Sequence, residues 1–474
     1  MNVISTSMLE IPKHIIREKE GLKSDLVIHN PQWHTLSEMG IKNIQVPKFY
    51  EEYQETEDHI YVPRFFDPTE YLYGSHTLKI VKEYIDFPRF AFKHTIKLRP
   101  DQNDPYHCMW DSDGQILQLG CGRGKTVLGI KFICERQMPA LVVVPTREIL
   151  RQWKESFLKF TNVSETMIGT VRGKTVFNWK HPIVLTTIQS LSLTNFEKFY
   201  PYEFYEFREH FGVIVFDEVH RLAAEQFRVA ASMFPGIRVG LSASARMKGG
   251  MDRLYRLHLG KIIHTDISQP LTPNIVFLQT PLDFEVNQPP FKKHWEKYVN
   301  RSRVDTFVSR NNERTQCVFD FVNKLYKQTD RRLLVVGTRK EFLEYLHKEF
   351  VKMFPSDADS FGLVIGSATS KKKMLHRENE LRKRIVFGIE KIMKEGLDIE
   401  MMDTLIVINA TSDKTFFQQV TGRICREYPG KNPPFAYFFV DSKIPMYRKA
   451  FDKLRGYARV FKYPVSVREV ETWG

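Results

Sequence analysis

The stretch Gly114–Glu135, GQILQLGCGRGKTVLGIKFICE, constrains this chain more than any other. Ile116 to Leu119, apolar but for Gln118, reads as a short buried strand. Gly120, Gly122 and Gly124 follow, then Lys125 and Thr126, and from Val127 the apolar spacing becomes helical. Strand, glycine-rich loop, Lys-Thr and helix form the layout of a phosphate-binding loop. Glycines let backbone N–H groups turn inward around phosphate oxygens, and a helix N-terminus adds partial positive charge. Lys125 is placed for the β/γ-phosphates of a nucleotide and the Thr126 hydroxyl for Mg²⁺. The competing reading is a glycine-rich αβ turn with a chance Lys-Thr. Leu119 stands where such loops commonly begin with a small residue.

The rest of the chain repeats the theme. Just upstream, LRPDQ carries Gln102, whose two-faced amide suits the edge of an adenine ring. Ala140–Trp153 holds a buried-strand run, a turn with Thr146 and Arg147, and helical spacing through Ile149, Leu150 and Trp153. A strand at Pro182–Leu185 leads into Thr187 and Gln189 of TTIQSL. Val213–Phe216 leads into Asp217, Glu218, Val219 and His220, and Arg238–Leu241 into Ser242 and Ser244 of LSASA. Each polar cluster falls at the C-terminal end of a strand, where an open α/β sheet places its site. Past a Pro-containing stretch, Thr280–Phe291, and a long helix expected from Trp295 to Lys327, the alternation resumes. Its strand ends carry Thr338 and Arg339, then Thr369, then Gly396 and Asp398, and a helix from Lys414 to Cys425 carries QQVTGRICR.

In this order, GCGRGKT, VVVPTRE, TTIQSL, DEVH, LSASA, VVGTRK, EGLD and QQVTGRICR resemble the successive motifs of superfamily 2 helicases of the DExH type, over residues 98–440. LSASA ends in Ala245 where many relatives have Thr or Pro. The resemblance implies an α/β protein of two tandem RecA-like domains with ATP in the cleft between them. The expected domains are an N-terminal accessory domain over 1–88, a first RecA-like domain over 89–285 and a second over 286–474. The motif set looks most like phage and repair-type helicases acting on branched DNA.

The resemblance assigns roles residue by residue. Gln102, Gly122, Gly124, Lys125, Thr126, Gly396 and Asp398 would bind ATP, with Thr126 and Asp217 holding Mg²⁺. Asp217 closes an apolar strand, and adjacent Glu218 would orient or deprotonate the attacking water. Arg423 and Arg426, three apart on a helix, would act as arginine fingers, with Gln419 one turn earlier; a solvated basic helix face is the alternative. His220, Ser242 and Ser244 would couple nucleotide state to nucleic acid, against a plain core histidine at 220. Thr146, Arg147, Thr187, Gln189, Thr338, Arg339 and Thr369 would hold the phosphate backbone of the tracking strand.

Residues 1–88 fall outside the motifs. Val62–Gly74 is rich in aromatics and turn residues, and a mixed helical stretch follows at His76–Ile85. One reading is a DNA-docking module using Arg64, Phe65, Phe66, Tyr71 and Tyr73; the other is that these aromatics build a small core. Lys and Arg outnumber Asp and Glu by 70 to 56, a net +14 that favours polyanionic partners. The expected partner is DNA, as a single tracking strand, fork or junction, together with replication or recombination proteins and no membrane. The chain has no apolar run of bilayer-spanning length and no signal-peptide core. Five cysteines without a CxxC pair point to a reducing compartment, hence the cytoplasm, that of a bacterial host if phage-encoded. The alternatives are a DExH RNA helicase and a nucleic-acid-binding scaffold with an inactive ATPase.

Overall fold

A computed structural model of the chain describes residues 2–41, 43–74, 79–82, 85–120, 122–173, 176–193, 196–222, 224–243, 251–268, 271–293, 298–366, 371–393, 399–409 and 411–470. Ser244, Thr369, Gly396 and Asp398 of the expected site lie outside the described residues. Two compact units divide the chain, Met1–Ile267 and Ser268–Gly474.

The first unit opens with short strands: β1 (Asn2–Ser5), β2 (Met8–Pro12), β3 (Val27–His29), β4 (Phe49–Glu51), β5 (Gln54–Glu55), β6 (His59–Pro63) and β7 (Lys79–Lys82). Five of them make a sheet in the order β5-β6-β2-β1-β7, and β3 pairs with β4. The segment His76–Ile85, expected to be helical, holds β7 instead, running parallel to β1 with Asn2 opposite Lys79. The β-branched pair Ile80-Val81 suits a strand once a partner edge is present, and that partner lies far away in sequence.

The main sheet of this unit contains β8 (Gly114–Leu119), β9 (Ala140–Val144), β10 (Ile168–Arg172), β11 (Val176–Asn178), β12 (Ile183–Thr187), β13 (Val213–Asp217), β14 (Ile237–Ser242) and β15 (Lys261–Asp266). Their order is β11-β10-β12-β9-β13-β14-β8-β15, parallel throughout except for β10 against β11. The central strands β8, β9 and β13 are buried along their whole length, as a parallel sheet covered on both faces requires. One apolar cluster, with Phe132, Ile133 and Trp153, covers one face. The other face shares a single cluster with the N-terminal strands, from Val3, Leu9 and Ile60 to Phe216, Phe227 and Leu254.

Polar links reinforce this docking. Arg238, fully buried on β14, donates to the carbonyl oxygens of Ser7, Phe234 and His258. Glu52, itself buried, takes His258 Nε2 at 2.7 Å and Arg228 Nε at 2.8 Å. Arg64 donates to the carbonyls of Pro235 and Gly236 and lies 3.7 Å from Asp113. Phe66 is buried and stacks on Tyr71. Arg64 and Phe66 are therefore structural, and the DNA-docking reading of that group is corrected at these two positions. Of the five, Tyr73 keeps the most solvent exposure among the large hydrophobics, at 53%.

The second unit carries β16 (Asn274–Gln279), β17 (Leu333–Gly337), β18 (Phe361–Val364), β19 (Ile385–Ile389), β20 (Thr404–Val407), β21 (Phe435–Val440) and β22 (Val465–Glu469). They form one parallel sheet in the order β18-β19-β17-β20-β21-β16-β22. The sheet thus begins at β16, ahead of the Pro-containing stretch at which the second domain was expected to start. The single long helix expected up to Lys327 is two helices, Arg301–Arg310 and Asn312–Gln328. Asn311 breaks it: its backbone is extended and its side chain caps the second helix by accepting from the Arg314 N–H at 2.8 Å.

Deleting residues 1–88 removes Glu52 from His258 and Arg228, removes an acceptor from Arg238 and opens the shared cluster to water. Leaving the buried His258 Nε2 without its acceptor costs about 1–3 kcal/mol. The truncated chain is expected to aggregate, and Glu52→Ala in the full chain to melt well below wild type, as measured by circular dichroism and light scattering. A soluble truncation with an unchanged melting temperature would show that the N-terminal sheet is not needed for folding.

Candidate nucleotide site and its flanks

The phosphate loop starts where β8 ends. Gly122 and Gly124 both adopt φ of +77°, a conformation that side chains rarely take. A Cβ at Gly124 would also overlap the Gln102 amide. The loop is tied from both sides: Arg99 donates to Gly122 O at 3.2 Å, and Arg123 pairs with Asp101 at 2.8 Å and Asp266 at 3.5 Å. Gln102, buried, accepts from Arg99 N–H at 3.0 Å and donates to Arg123 O at 3.1 Å. Its amide keeps a second N–H and a second lone pair, the set needed to meet a base edge. Lys125 begins the helix Lys125–Arg136, and its Nζ donates to Leu119 O at 3.0 Å and Gly120 O at 3.3 Å. The ammonium therefore folds back over the loop's own carbonyls.

Asp217 is the last residue of β13 and 4% exposed. Its Oδ2 accepts from the Trp153 indole at 2.8 Å and its Oδ1 from the Glu218 N–H at 2.8 Å. Trp153 reaches it because Gly129, on the phosphate-loop helix, has no side chain; a Cβ there would lie 2.7 Å from the indole. Spacing alone placed Trp153 in the core, and its indole N–H is a partner of the site that periodicity does not reveal. Burial, with the Glu218 charge adding to it, raises the Asp217 carboxyl to about 6, against the opposing pull of Trp153 and Lys125. A buried carboxylate that resists ionisation, beside a loop with a lysine and the Thr126 hydroxyl, fits a hard divalent cation: hard oxygen donors suit Mg²⁺.

Glu218 follows with φ of +49°, an uncommon left-handed conformation for a non-glycine residue that costs about 1–3 kcal/mol. Its Oε2 lies 3.3 Å from His220 Nδ1, and the same nitrogen lies 2.8 Å from Ser242 Oγ at the end of β14. The structure thus brings Glu218, His220 and Ser242 into one contact chain. At the ends of the neighbouring strands, Thr146 caps the helix Arg147–Phe160 by accepting from Ile149 N–H at 3.4 Å, and Arg147 is exposed. Thr187 Oγ1 lies 3.0 Å from Ser190 Oγ, and Gln189 is exposed.

In the second unit, Thr338 N–H donates to Asn409 Oδ1 at 3.1 Å, and Arg339 donates to the Ser302 carbonyl at 2.6 Å and hydroxyl at 3.0 Å. Gln419 and Arg423 are buried on the helix Lys414–Ile424. Arg426 lies beyond that helix and sits 3.5 Å from Glu400. The expectation that Arg423 and Arg426 share one helix face is corrected: the helix stops at Ile424, and only Arg423 is on it. Elsewhere in the second unit, the buried pair Arg314–Asp441, at 2.7 Å, also takes Thr280 Oγ1 onto Asp441 and was not foreseen.

Residues 92–246 match the family described as "Type III restriction enzyme, res subunit". Over 464 residues the chain is 25% identical to a protein of Acanthamoeba polyphaga mimivirus named "Putative ATP-dependent RNA helicase L396", covering 96% of this chain and 84% of the relative. It is 24% identical over 383 residues to "DNA 3'-5' translocase XPB2" of Sulfurisphaera tokodaii, covering 73% of this chain and 82% of the relative. Among solved structures, Dbp5 of S. cerevisiae, bound to RNA and ADP BeF3, matches with a TM-score of 0.52 and 11% identity over 79% of this chain and 95% of Dbp5. The fold is that of two RecA-like units in tandem. In sequence, the chain is similar to proteins named as helicases and translocases.

The raised Asp217 carboxyl makes a pH prediction. The unfolded chain titrates this group near 3.8 and the folded chain at about 6, so between those values the folded state holds the extra proton. Stability from this group is therefore lost as pH rises through that window. Asp217→Asn does not titrate there. Its melting temperature relative to wild type is expected to climb from pH 4 to pH 6.5 and then level off; a flat difference would show that Asp217 is an ordinary carboxylate.

Proposed function

We propose that the chain is an ATP-driven DNA helicase or translocase that opens or migrates forked and branched DNA. The observation that carries the reading is the contact chain from Asp217 and Glu218 through His220 to Ser242, at the strand end next to the glycine-cradled Lys125. It joins the carboxylates suited to a hydrolytic site to the strand end that leads into LSASA. Mg²⁺ bound by Thr126 and Asp217 would supply charge neutralisation for the phosphates.

The chain's own residues divide the remaining work. Lys125 leaves its loop carbonyls for the nucleotide phosphates. Glu218 orients the water and accepts its proton. His220 Nδ1 has two neighbours, Glu218 and Ser242; the tautomer decides whether it donates a proton or accepts from the Ser242 hydroxyl. The motif resemblance gives Arg423, Arg426 and Gln419 the role of adding positive charge and polar contact to the transferring phosphoryl group. Thr146, Arg147, Thr187, Gln189, Thr338 and Arg339 hold a strand by its phosphates, which lets a motor move over any sequence. The preference for DNA rests on the "DNA 3'-5' translocase" relative and the net charge of +14. The mimivirus relative, with RNA in its name, favours the second reading, an RNA helicase.

Lys125→Ala is expected to abolish ATP turnover and unwinding together while leaving nucleotide-free DNA binding largely intact; near-normal turnover would remove the phosphate-loop assignment. Arg423→Ala should slow hydrolysis on the order of 10³-fold with a much smaller loss of ATP affinity. Equal losses would make Arg423 a ground-state ligand. ATPase stimulation compared across single-stranded DNA, duplex, fork, four-way junction and RNA tests the substrate. Strongest stimulation by forks or junctions supports the proposal, and stimulation by RNA alone replaces it with the second reading.

A further inference from the structure

A cavity of about 480 Å³ lies within the first unit at the starts of β8 and β15, the opposite end of the sheet from the phosphate loop. With β8 six residues long, the separation is about 17 Å. Phe65 in the turn after β6, the helix Asp252–Leu259 and the starts of β8 and β15 build the cavity together. Phe65, Leu257 and Ile263 give it apolar walls, and Arg253, Arg256 and Lys261 give it cations. Its floor is glycine: a Cβ at Gly114 would overlap the Phe65 ring, and a Cβ at Gly260, where φ is +92°, would overlap Gly114 O.

We propose that this cavity binds a single unpaired nucleotide, either free or as part of a strand. Three observations select that ligand. First, the volume suits one base with its sugar and phosphate and lies within the usual range of small-ligand sites. Second, the walls pair an aromatic ring with aliphatic surface, the lining on which a base face stacks at a gain of about 1–3 kcal/mol. Third, the charge is cationic. Arg253 is paired with Asp25 at 2.9 Å and Arg256 with Asp252 at 3.1 Å, while Lys261 has no ion-pair partner among the described residues. Three cations against two carboxylates leave one positive charge for a phosphate. Among the described residues no Asn, Gln, Asp or Glu lines the cavity, so no side-chain amide or carboxylate reads a base edge there. The inference does not depend on the helicase reading, because none of these residues belongs to the ATP site.

The test uses the full chain with dTMP and an eight-residue oligothymidylate as probes, each also with 5-bromodeoxyuridine in place of thymidine for photo-crosslinking. Arg256 and Lys261 are both exposed, so Arg256→Glu/Lys261→Glu should fold as wild type. The double variant is expected to bind the probe at least tenfold more weakly and to lose a crosslink to the Phe65 peptide, while Arg256→Lys/Lys261→Arg retains both. ATPase without DNA should be unchanged, which separates this site from the motor. Loss for dTMP identifies a free nucleotide as the ligand, loss for the oligonucleotide alone identifies a strand, and either supports the site. Unchanged binding of both probes overturns it. So does weakened binding with no Phe65 crosslink in the wild-type protein, which would be a charge effect only.

Discussion

Asp217 sits where the apolar run of β13 ends, and hydrogen bonds from the Trp153 indole and the Glu218 N–H hold its carboxylate inside the protein. Much of the surrounding edge depends on that arrangement. The indole reaches Asp217 only because Gly129 leaves it room, so the helix that begins with Lys125 is also the helix that positions the acid's partner. The second hydrogen bond comes from a residue in a left-handed backbone conformation, which turns the chain sharply and sets Glu218 against His220. Two adjacent acids thereby obtain two different environments. One is buried and raised toward 6; the other is half-buried and paired with an imidazole.

The N-terminal strands change what counts as the first RecA-like unit. Their apolar residues do not form a core of their own; they complete a cluster that covers one face of the main sheet. A parallel sheet must be covered on both faces. Here one face is covered by helices such as Lys125–Arg136 and Arg147–Phe160, and the other is shared with an accessory sheet. The buried charges follow the same logic, since Glu52 from the accessory strands meets His258 and Arg228 from the main unit.

The parts legible in sequence were those whose physics is local. Val213–Phe216, Leu141–Val144 and Leu333–Val336 are continuous apolar runs because their strands are buried on both faces, and a polar residue, Asp217, Thr146 or Thr338, follows within two positions of each. The phosphate loop was legible because glycines and a Lys-Thr pair serve a backbone geometry directly. What stayed hidden was set by distant partners. Lys79–Lys82 becomes a strand because β1 offers it an edge. Trp153 has helical spacing like any core residue, and only its single N–H marks it as part of the site. Asn311 divides a helix through a cap that competes with an otherwise continuous apolar pattern. Arg426 shares its spacing with Arg423, but the helix ends between them.

Arg238 and Arg64 bridge the accessory sheet and the main unit through backbone carbonyls: Ser7, Phe234 and His258 for one, Pro235 and Gly236 for the other. A carbonyl acceptor is present whatever side chain the residue carries. Substitution at Ser7 or Phe234 therefore leaves those hydrogen bonds in place and calls for no matching change at Arg238. Two surfaces joined in this way can drift in sequence independently while staying docked. Paired substitutions among relatives would carry almost no trace of these carbonyl contacts, and would record only the side-chain pairs, such as Glu52 with His258, that also join the two parts.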